Sequence, residues 1–361
     1  MKIAILGATN IKHMSLISHY LDNIDLSTHE IDIIHVDKYG INELIDNVGV
    51  HKFPIKINRD YTKFKKLKLY FKFKIFAEKL IKEKRYDLII VWGTYTGHLF
   101  KNFLIKNYKK KYILNVRDYF YESNKIVFKR MKALVDNSIL TTLSSDGFLE
   151  FLPYSKNYYI IYSFNESMLK NSETRNKLKI DGPLRISFIG NNRFYEVNKK
   201  FMISLKNDDR FILQYFGTGS NVLRDFALKN NINNTKFIDG FPIEKTAELL
   251  NETDILNNVY GNNDIALDTA LSIRLYYAIY LNKPILTSEN TFTSKKAKEL
   301  KLGLDINIKQ HVSYGDEIIN WYRNLNLKKI NELTNKELVR ISNVNNFFYK
   351  KLRKIIENED I

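Results

Sequence analysis

Residues 264–288 read DIALDTALSIRLYYAIYLNKPILTS, and this run holds a helix, its stop signals and a strand. Ser272 stands before Ile273-Arg274-Leu275, where a serine oxygen can accept from the free N–H groups of a first turn. Arg274, Leu275, Ala278 and Ile279 follow at helical spacing. Asn282 and Pro284 end the helix, because proline cannot continue it. The apolar run that begins at Pro284 then reads as a short buried strand. A helix start offers unpaired N–H groups and a partial positive charge. The segment 271–273 is therefore suited to a phosphate, with an arginine one turn in.

The same alternation extends outward in both directions. Short apolar runs at 2–7, 30–36, 87–92, 112–116, 138–143 and 158–162 read as strands. Helical stretches, the first at 14–21, separate them. That order implies a parallel α/β sheet. From Asn165 the chain turns polar (NESMLKNSETRNKLKIDG) and closes at Pro183, which reads as an interdomain linker. A second series follows, with strands at 185–189, 211–216, 235–238, 254–259 and 284–287. Four of these end near a glycine: Gly190, Gly217, Gly240 and Gly261. From about 316 the chain reads helical to its end. The fold class expected is α/β, two Rossmann-like domains facing across a cleft, with a C-terminal helical tail. The divisions are 1–165, a linker at 166–183, a second domain at 184–330, and helices at 331–361 packing back toward the first domain. Ligands of such sheets sit beyond the carboxyl ends of the strands.

Composition narrows the class. The chain has 361 residues, 44% hydrophobic and 27% charged, enough for two substantial cores. It has no cysteine, so disulfide and thiolate chemistry are excluded. No run reaches the roughly 18 apolar residues of a membrane span. The opening MKIAILGATN reads as strand and turn rather than as a signal peptide. The net charge is +17, and it is uneven: residues 1–165 carry 27 Lys/Arg against 16 Asp/Glu. Such a balance draws nucleic acid, anionic lipid or phosphorylated substrates, unless it reflects only a lysine-rich background. A nucleic-acid reading rests on charge alone and lacks a recognition motif. Gly7-Ala8-Thr9-Asn10 lacks the further glycines of a dinucleotide fingerprint, which weakens a dehydrogenase or epimerase reading. The seven histidines show no metal-ligand spacing.

The segment Arg274-Leu275-Tyr276-Tyr277, followed by Asn282-Lys283-Pro284-Ile285, resembles the donor-sugar motif of GT-B glycosyltransferases. The likeness is greatest to the retaining family that builds bacterial capsular and exopolysaccharide chains. In that family one acid holds the donor ribose and a second lies upstream in a Glu-x7-Glu pattern. These acids fall on Tyr277 and Thr269 here. Further segments resemble the same family in the same order. Asn115-Val116-Arg117-Asp118-Tyr119 is similar to its Asp-Ile-Arg-Asp sequence. Ser144-Ser145-Asp146-Gly147-Phe148, with Phe151-Leu152-Pro153, is similar to a stretch that shapes the cleft edge. Gly190-Asn191-Asn192-Arg193, Phe216-Gly217-Thr218-Gly219-Ser220 and Phe237-Ile238-Asp239-Gly240-Phe241 resemble its phosphate- and nucleotide-side turns.

The resemblance implies a hexosyltransferase that moves a sugar from a nucleotide-sugar, UDP- or GDP-linked, to a lipid-linked or growing surface polysaccharide. It implies no metal and no cofactor beyond that donor. Asp118 and Arg117 fall at the catalytic positions; a buried structural ion pair is the other reading of those two. Arg193, Arg274, Ser272 and Gly190 fall on the donor diphosphate, with Lys199 and Lys200 as weaker candidates. Gly217, Gly219, Gly240 and Tyr277 fall on the nucleotide and ribose. Gly7 and Asn10 fall in a loop that faces the acceptor, or form a plain strand-to-helix turn. The missing acids keep a second reading open, a non-catalytic GT-B scaffold or binding subunit of a polysaccharide assembly complex.

Residues 61–85 (YTKFKKLKLYFKFKIFAEKLIKEKR) set ten basic residues against Glu78 and Glu83. As a helix this stretch has two apolar stripes: Phe64, Leu67, Phe71 and Ile75, then Leu69, Phe73, Phe76 and Leu80. One stripe suffices to dock a helix on a sheet. The second needs a partner, and an anionic membrane fits, with Lys65, Lys68, Lys72 and Phe73 as the docking residues. A fully packed helix with solvated lysines is the alternative. The resulting expectation is a cytoplasmic protein, peripheral on the inner face of the plasma membrane.

Overall fold

Lys2–Gly7, the first apolar run, forms an interior strand of a seven-stranded parallel sheet. The structure is a computed structural model that describes residues 1–14, 16–56, 61–164, 166–308 and 313–357. The chain divides into two units, Met1–Tyr162 with Asn343–Ile361, and Ser163–Ser342.

The first unit runs β1 (Lys2–Gly7), α1 (Ser18–Leu21), β2 (Glu30–Asp37), β3 (Gly49–Pro54), α2 (Lys63–Lys84) and β4 (Leu88–Trp92). It continues with α3 (Thr94–Asn107), β5 (Tyr112–Val116), α4 (Lys125–Asn137), β6 (Leu140–Leu143) and β7 (Tyr158–Ile160). The sheet order is β3-β2-β1-β4-β5-β6-β7. Ile5 on β1 pairs with Ile33 on β2 and Ile90 on β4. All three are fully buried, as a parallel sheet covered on both faces requires. Two expectations change here. The helix expected at 14–21 is a single turn over Ser18–Leu21. The strand Gly49–Pro54 was not legible, because GVHKFP sits at the sheet edge and carries a histidine, a lysine and a proline.

Helix α2 docks through a line that takes Phe73 from the second stripe and adds Ala77 and Ile81, with Leu69, Phe76 and Leu80 half-buried beside it. Phe73, Ala77 and Ile81 have no exposed surface. The Phe73 ring packs 6.1 Å from Phe53 and 5.7 Å from Phe100. Phe73, expected at a membrane face, is therefore core, because helix geometry sets it opposite the stripe that points to solvent.

The second unit runs β8 (Leu184–Ile189), α5 (Tyr195–Ser204), β9 (Phe211–Phe216), α6 (Ser220–Lys229), β10 (Thr235–Ile238), α7 (Thr246–Asn251) and β11 (Ile255–Asn258). Then come α8 (Ile265–Thr269), α9 (Ile273–Leu281), β12 (Ile285–Ser288), α10 (Phe292–Glu299), β13 (Gly303–Ile306), α11 (Gly315–Arg323) and α12 (Leu327–Ile356). Its six parallel strands are ordered β10-β9-β8-β11-β12-β13. The order reverses between β8 and β11, and in sheets of this kind the crevice at such a reversal is where ligands bind. The polar segment 166–183 is held on this unit. Arg175 donates to the Asp254 carboxylate at 2.6 Å and to the Tyr322 hydroxyl at 2.7 Å.

Helix α12 contributes to both units. Thr334 donates to Asn282 Oδ1 at 2.6 Å in the second. Phe348, Leu352, Ile355 and Ile356 join Ile3, Ile5, Tyr20 and Trp92 in the core of the first. The His19 ring stacks on Tyr349, with Nδ1 2.5 Å from the tyrosine hydroxyl. Burial, and then the nearby Arg117 charge, push the His19 pKa down to about 4. The unfolded chain then binds a proton that the folded one refuses as pH falls from about 6.5 toward 4, so stability is lost in that window. Between pH 7 and pH 5 the loss from His19 alone is about 2 kcal/mol. Urea unfolding at the two pH values should show that loss in the native protein and not in His19→Phe. Equal losses in both proteins would mean that His19 is protonated in the fold.

Candidate donor-phosphate site

The site grows from the carboxyl ends of β8, β9 and β11. Gly190 leaves β8 at φ 122° and Gly217 leaves β9 at φ 127°. A Cβ on Gly217 would lie 2.0 Å from the Gly190 carbonyl oxygen, so the two turns touch backbone to backbone. Asn192 ties them together, its Nδ2 donating to both the Gly190 and Gly217 carbonyls at 3.2 Å. Gly219, at φ 91°, then opens α6 and donates its N–H to Asp239 at 2.8 Å. Gly240 follows β10 at φ 77°.

Helix α9 starts as its sequence indicates. Ser272 Oγ accepts from the Arg274 N–H at 3.3 Å, and Asn282 ends the helix in the left-handed region. Arg274 is only 7% exposed. Its Nε donates to the Ile189 carbonyl at 2.8 Å and its guanidinium to Asn258 Oδ1 at 3.2 Å. The guanidinium carbon lies 3.7 Å from the Phe188 ring centroid. Ile189 ends β8 and Asn258 ends β11, so this cation bridges the crevice where the strand order reverses. Burial, and to a lesser degree the charge of Arg193, push its pKa down to about 10. It remains charged at neutral pH. Among the described residues no carboxylate pairs with it; its charged or titratable neighbours are Tyr260, Tyr277 and Arg193. Burying an unpaired charge is costly, and a bound anion would offset that cost.

Arg193 is exposed and sits 5.5 Å over the Phe194 ring, which stacks on Tyr260 at 5.1 Å. Asn258 Nδ2 and Asn192 Oδ1 are buried and meet no partner among the described residues. Lys199 is paired with Glu196 at 2.7 Å, while Lys200 is exposed. Tyr277 is buried, and that burial pushes its phenol up to about 12 against the pull of Arg274. It is thus a neutral hydroxyl at working pH. Thr269 donates to the Ile265 carbonyl at 2.5 Å. The sequence reading passed over Asp268 beside it. This carboxylate is partly buried, its pKa raised by desolvation, and it accepts from the Asn263 N–H at 3.1 Å. Its signal was its place one residue from a position expected to be acidic.

In the first unit the predicted residues lie at the carboxyl edge of the sheet, with unequal freedom. Arg117 and Asp118 follow β5. The Arg117 guanidinium lies 5.8 Å from the Trp92 ring centroid, and the Asp118 carbonyl accepts from Thr94 at 2.8 Å. Gly7 is tightly covered, since a Cβ there would meet the Met14 methyl at 2.2 Å. Asn10 is spent inside the unit. Its amide donates to Asp37 at 3.2 Å and Glu43 at 2.8 Å, and its oxygen accepts from the Lys38 N–H at 2.9 Å. It is a brace for the loop rather than a ligand contact. Ser145 and Phe148 are buried, with Phe148 5.3 Å from Phe151, which fits the packing role read for that stretch. A buried imidazole–carboxylate contact, His98 to Glu122 at 3.6 Å, escaped the sequence reading because neither residue lies in a recognisable motif.

This is the GT-B fold, two parallel-sheet α/β units with a C-terminal helix. No family model matches the sequence, and no curated protein matches it. Solved structures match along its whole length. Sucrose-phosphate synthase from Thermosynechococcus elongatus superposes with a TM-score of 0.72 at 10% identity, covering 99% of this chain and 100% of that one. Anabaena Alr3699/HepE in complex with UDP gives 0.66 at 11%, covering 98% and 100%. The lipopolysaccharide outer core galactosyltransferase WaaB gives 0.61 at 13%, covering 97% and 100%. At these identities the likeness is one of fold.

Proposed function

We propose that this chain is a glycosyltransferase that takes its sugar from a nucleotide-sugar. The observation that carries the reading is Arg274, a cation buried without a carboxylate at the β8/β11 crevice. Arg193 stands beside it, and so does a helix start capped by Ser272. In the transfer the bond from the anomeric carbon to the diphosphate oxygen breaks, and its electron pair stays on the diphosphate. Positive charge fixed there in advance stabilises that developing charge. The acceptor hydroxyl oxygen bonds the anomeric carbon, and its proton leaves to a base. Asp118, exposed at the end of β5 with Arg117 before it, is our assignment for that role. Gly217, Gly219 and Gly240 let the backbone approach the nucleotide, and Tyr277 offers the ribose a neutral hydroxyl in place of a carboxylate. The finer reading is a UDP- or GDP-sugar donor, retention at the anomeric carbon and no required metal. Its acceptor is a lipid-linked or growing surface polysaccharide. The family resemblance of the motifs supports this finer reading.

Thermal unfolding with UDP-, GDP-, CMP- and dTDP-sugars tests the proposal. A ligand held only by the folded state stabilises it by about 2.7 kcal/mol at a hundred times its dissociation constant. One base should stand out, and Arg193→Ala should lose that shift while keeping the native melting temperature without ligand. The scaffold reading draws on Thr269 and Tyr277, neither of which brings a carboxylate. Binding of a donor with no release of nucleoside diphosphate, in the presence or absence of saccharide acceptors, would decide for it. No shift with any donor would sink the donor-site assignment.

A further inference from the structure

The stripe of α2 that does not dock is apolar. Phe64, Leu67, Phe71 and Ile75 are 78%, 55%, 54% and 57% exposed. They follow at helical spacing and make one line about 16 Å long. Lys65, Lys68 and Lys72 are exposed along one flank of that line. Among the described residues the ion pairs of this helix are Lys74–Glu78, Lys79–Glu83 and Lys84 with Glu30 and Asp32. Lys68 and Lys72 thus have no acid to neutralise them, and Lys65 lies over the Tyr61 ring. Lys65 also stands in the first turn, which contains no acid. The helix dipole disfavours a cation there, so the helix gains nothing of its own from that charge. Four apolar side chains in water and three lysines without acids are unfavourable features of the isolated protein. Both are relieved by a surface that is anionic outside and apolar just beneath.

We propose that this face of α2 docks on an anionic lipid bilayer. The helix lies in the plane of the interface, with Phe64, Leu67, Phe71 and Ile75 among the acyl-chain ends and Lys65, Lys68 and Lys72 against lipid phosphates. A second copy of the chain is the weaker occupant, because pairing two such faces sets lysine rows against each other. The surface is independent of the donor reading: its residues are in the first unit and Arg193 and Arg274 are in the second.

The test is co-sedimentation of the full chain with phosphatidylcholine vesicles, without and with about one third phosphatidylglycerol. Native protein should sediment with the anionic vesicles only, and high salt should weaken the binding. Phe64→Ser/Phe71→Ser and Lys68→Glu/Lys72→Glu should each lower vesicle affinity about tenfold or more. Because these side chains are exposed, the melting temperature and any nucleotide-sugar shift should stay native in both variants. Failure to sediment, equal binding to neutral and anionic vesicles, or undiminished binding by the double variants would overturn the proposal. So would a native dimer that the Phe variant turns into a monomer of unchanged vesicle affinity; that outcome would make the stripe a self-association face.

Discussion

Asp254→Asn should cost the second unit about 3–5 kcal/mol, much of the stability of an ordinary domain. Asp254 is buried, 1% exposed, at the start of β11. Its carboxylate accepts from Arg175 at 2.6 Å and from Arg185 Nε at 2.9 Å, with Lys179 at 3.4 Å. The Arg185 N–H adds a further bond at 2.9 Å. Burial alone would raise its pKa, yet the hydrogen bonds from Arg185 and Arg175 hold the carboxyl far below the usual range. Lys283 feels the same centre. Burial and then Arg175 push its pKa down to about 8, and Asp254 works against them. Removing this buried negative charge leaves these cations facing a neutral amide. The protein supplies its own reporters, since Trp92 lies in the first unit and Trp321 in the second. In a Trp92→Phe background, urea unfolding followed by Trp321 fluorescence should show the loss. A change under about 1 kcal/mol, the size of an exposed pair, would mean that the cluster is effectively solvated.

Arg274→Ala should remove donor binding and lower turnover roughly a hundredfold or more, the usual scale for losing a fixed charge opposite a leaving group. It should also cost stability. The Ile189 carbonyl and Asn258 Oδ1 lose their donor, about 1–3 kcal/mol for buried groups left unpaired, and Phe188 loses a cation from its face. Against that, the variant no longer buries an unpaired charge, so the net loss falls below the sum of those contacts. Arg274→Ala is thus a change in the fold as well as in the chemistry. Arg193→Ala isolates the chemistry, because an exposed side chain without an ion pair costs within about half a kcal/mol. Arg274→Lys keeps the charge but cannot hold both Ile189 and Asn258, so partial recovery of donor binding is expected. An intact donor shift in Arg274→Ala would reduce Arg274 to a tie between β8 and β11.

Much of the architecture was legible because parallel strands buried on both faces are continuous apolar runs. Tyr112–Val116, Phe211–Phe216 and Thr235–Ile238 fall where the sequence places them. The strands that escaped, β3 and β13, are edge strands, of which only one side is paired and which tolerate charge, glycine and proline. The polarity of 166–183 spoke for a free linker, yet Arg175 and Lys179 are engaged with Asp254 some 75 to 79 residues away. No local pattern reveals such a partner.

By itself the sequence determined the strand–helix alternation, the Ser272 cap, the Asn282 stop, the glycine turns after β8, β9 and β10, and the two stripes of α2. These follow from period, capping and backbone freedom, which act over a few residues. Only the tertiary structure decided which stripe of α2 is core, that Asn10 is consumed by Asp37 and Glu43, and that Arg274 is buried across a strand-order reversal. Arg274 meets its carbonyl partner 85 residues away in the chain. The environment of a side chain is set by the neighbours that topology brings to it, and burial is what turns an ordinary arginine into a charge without a carboxylate partner.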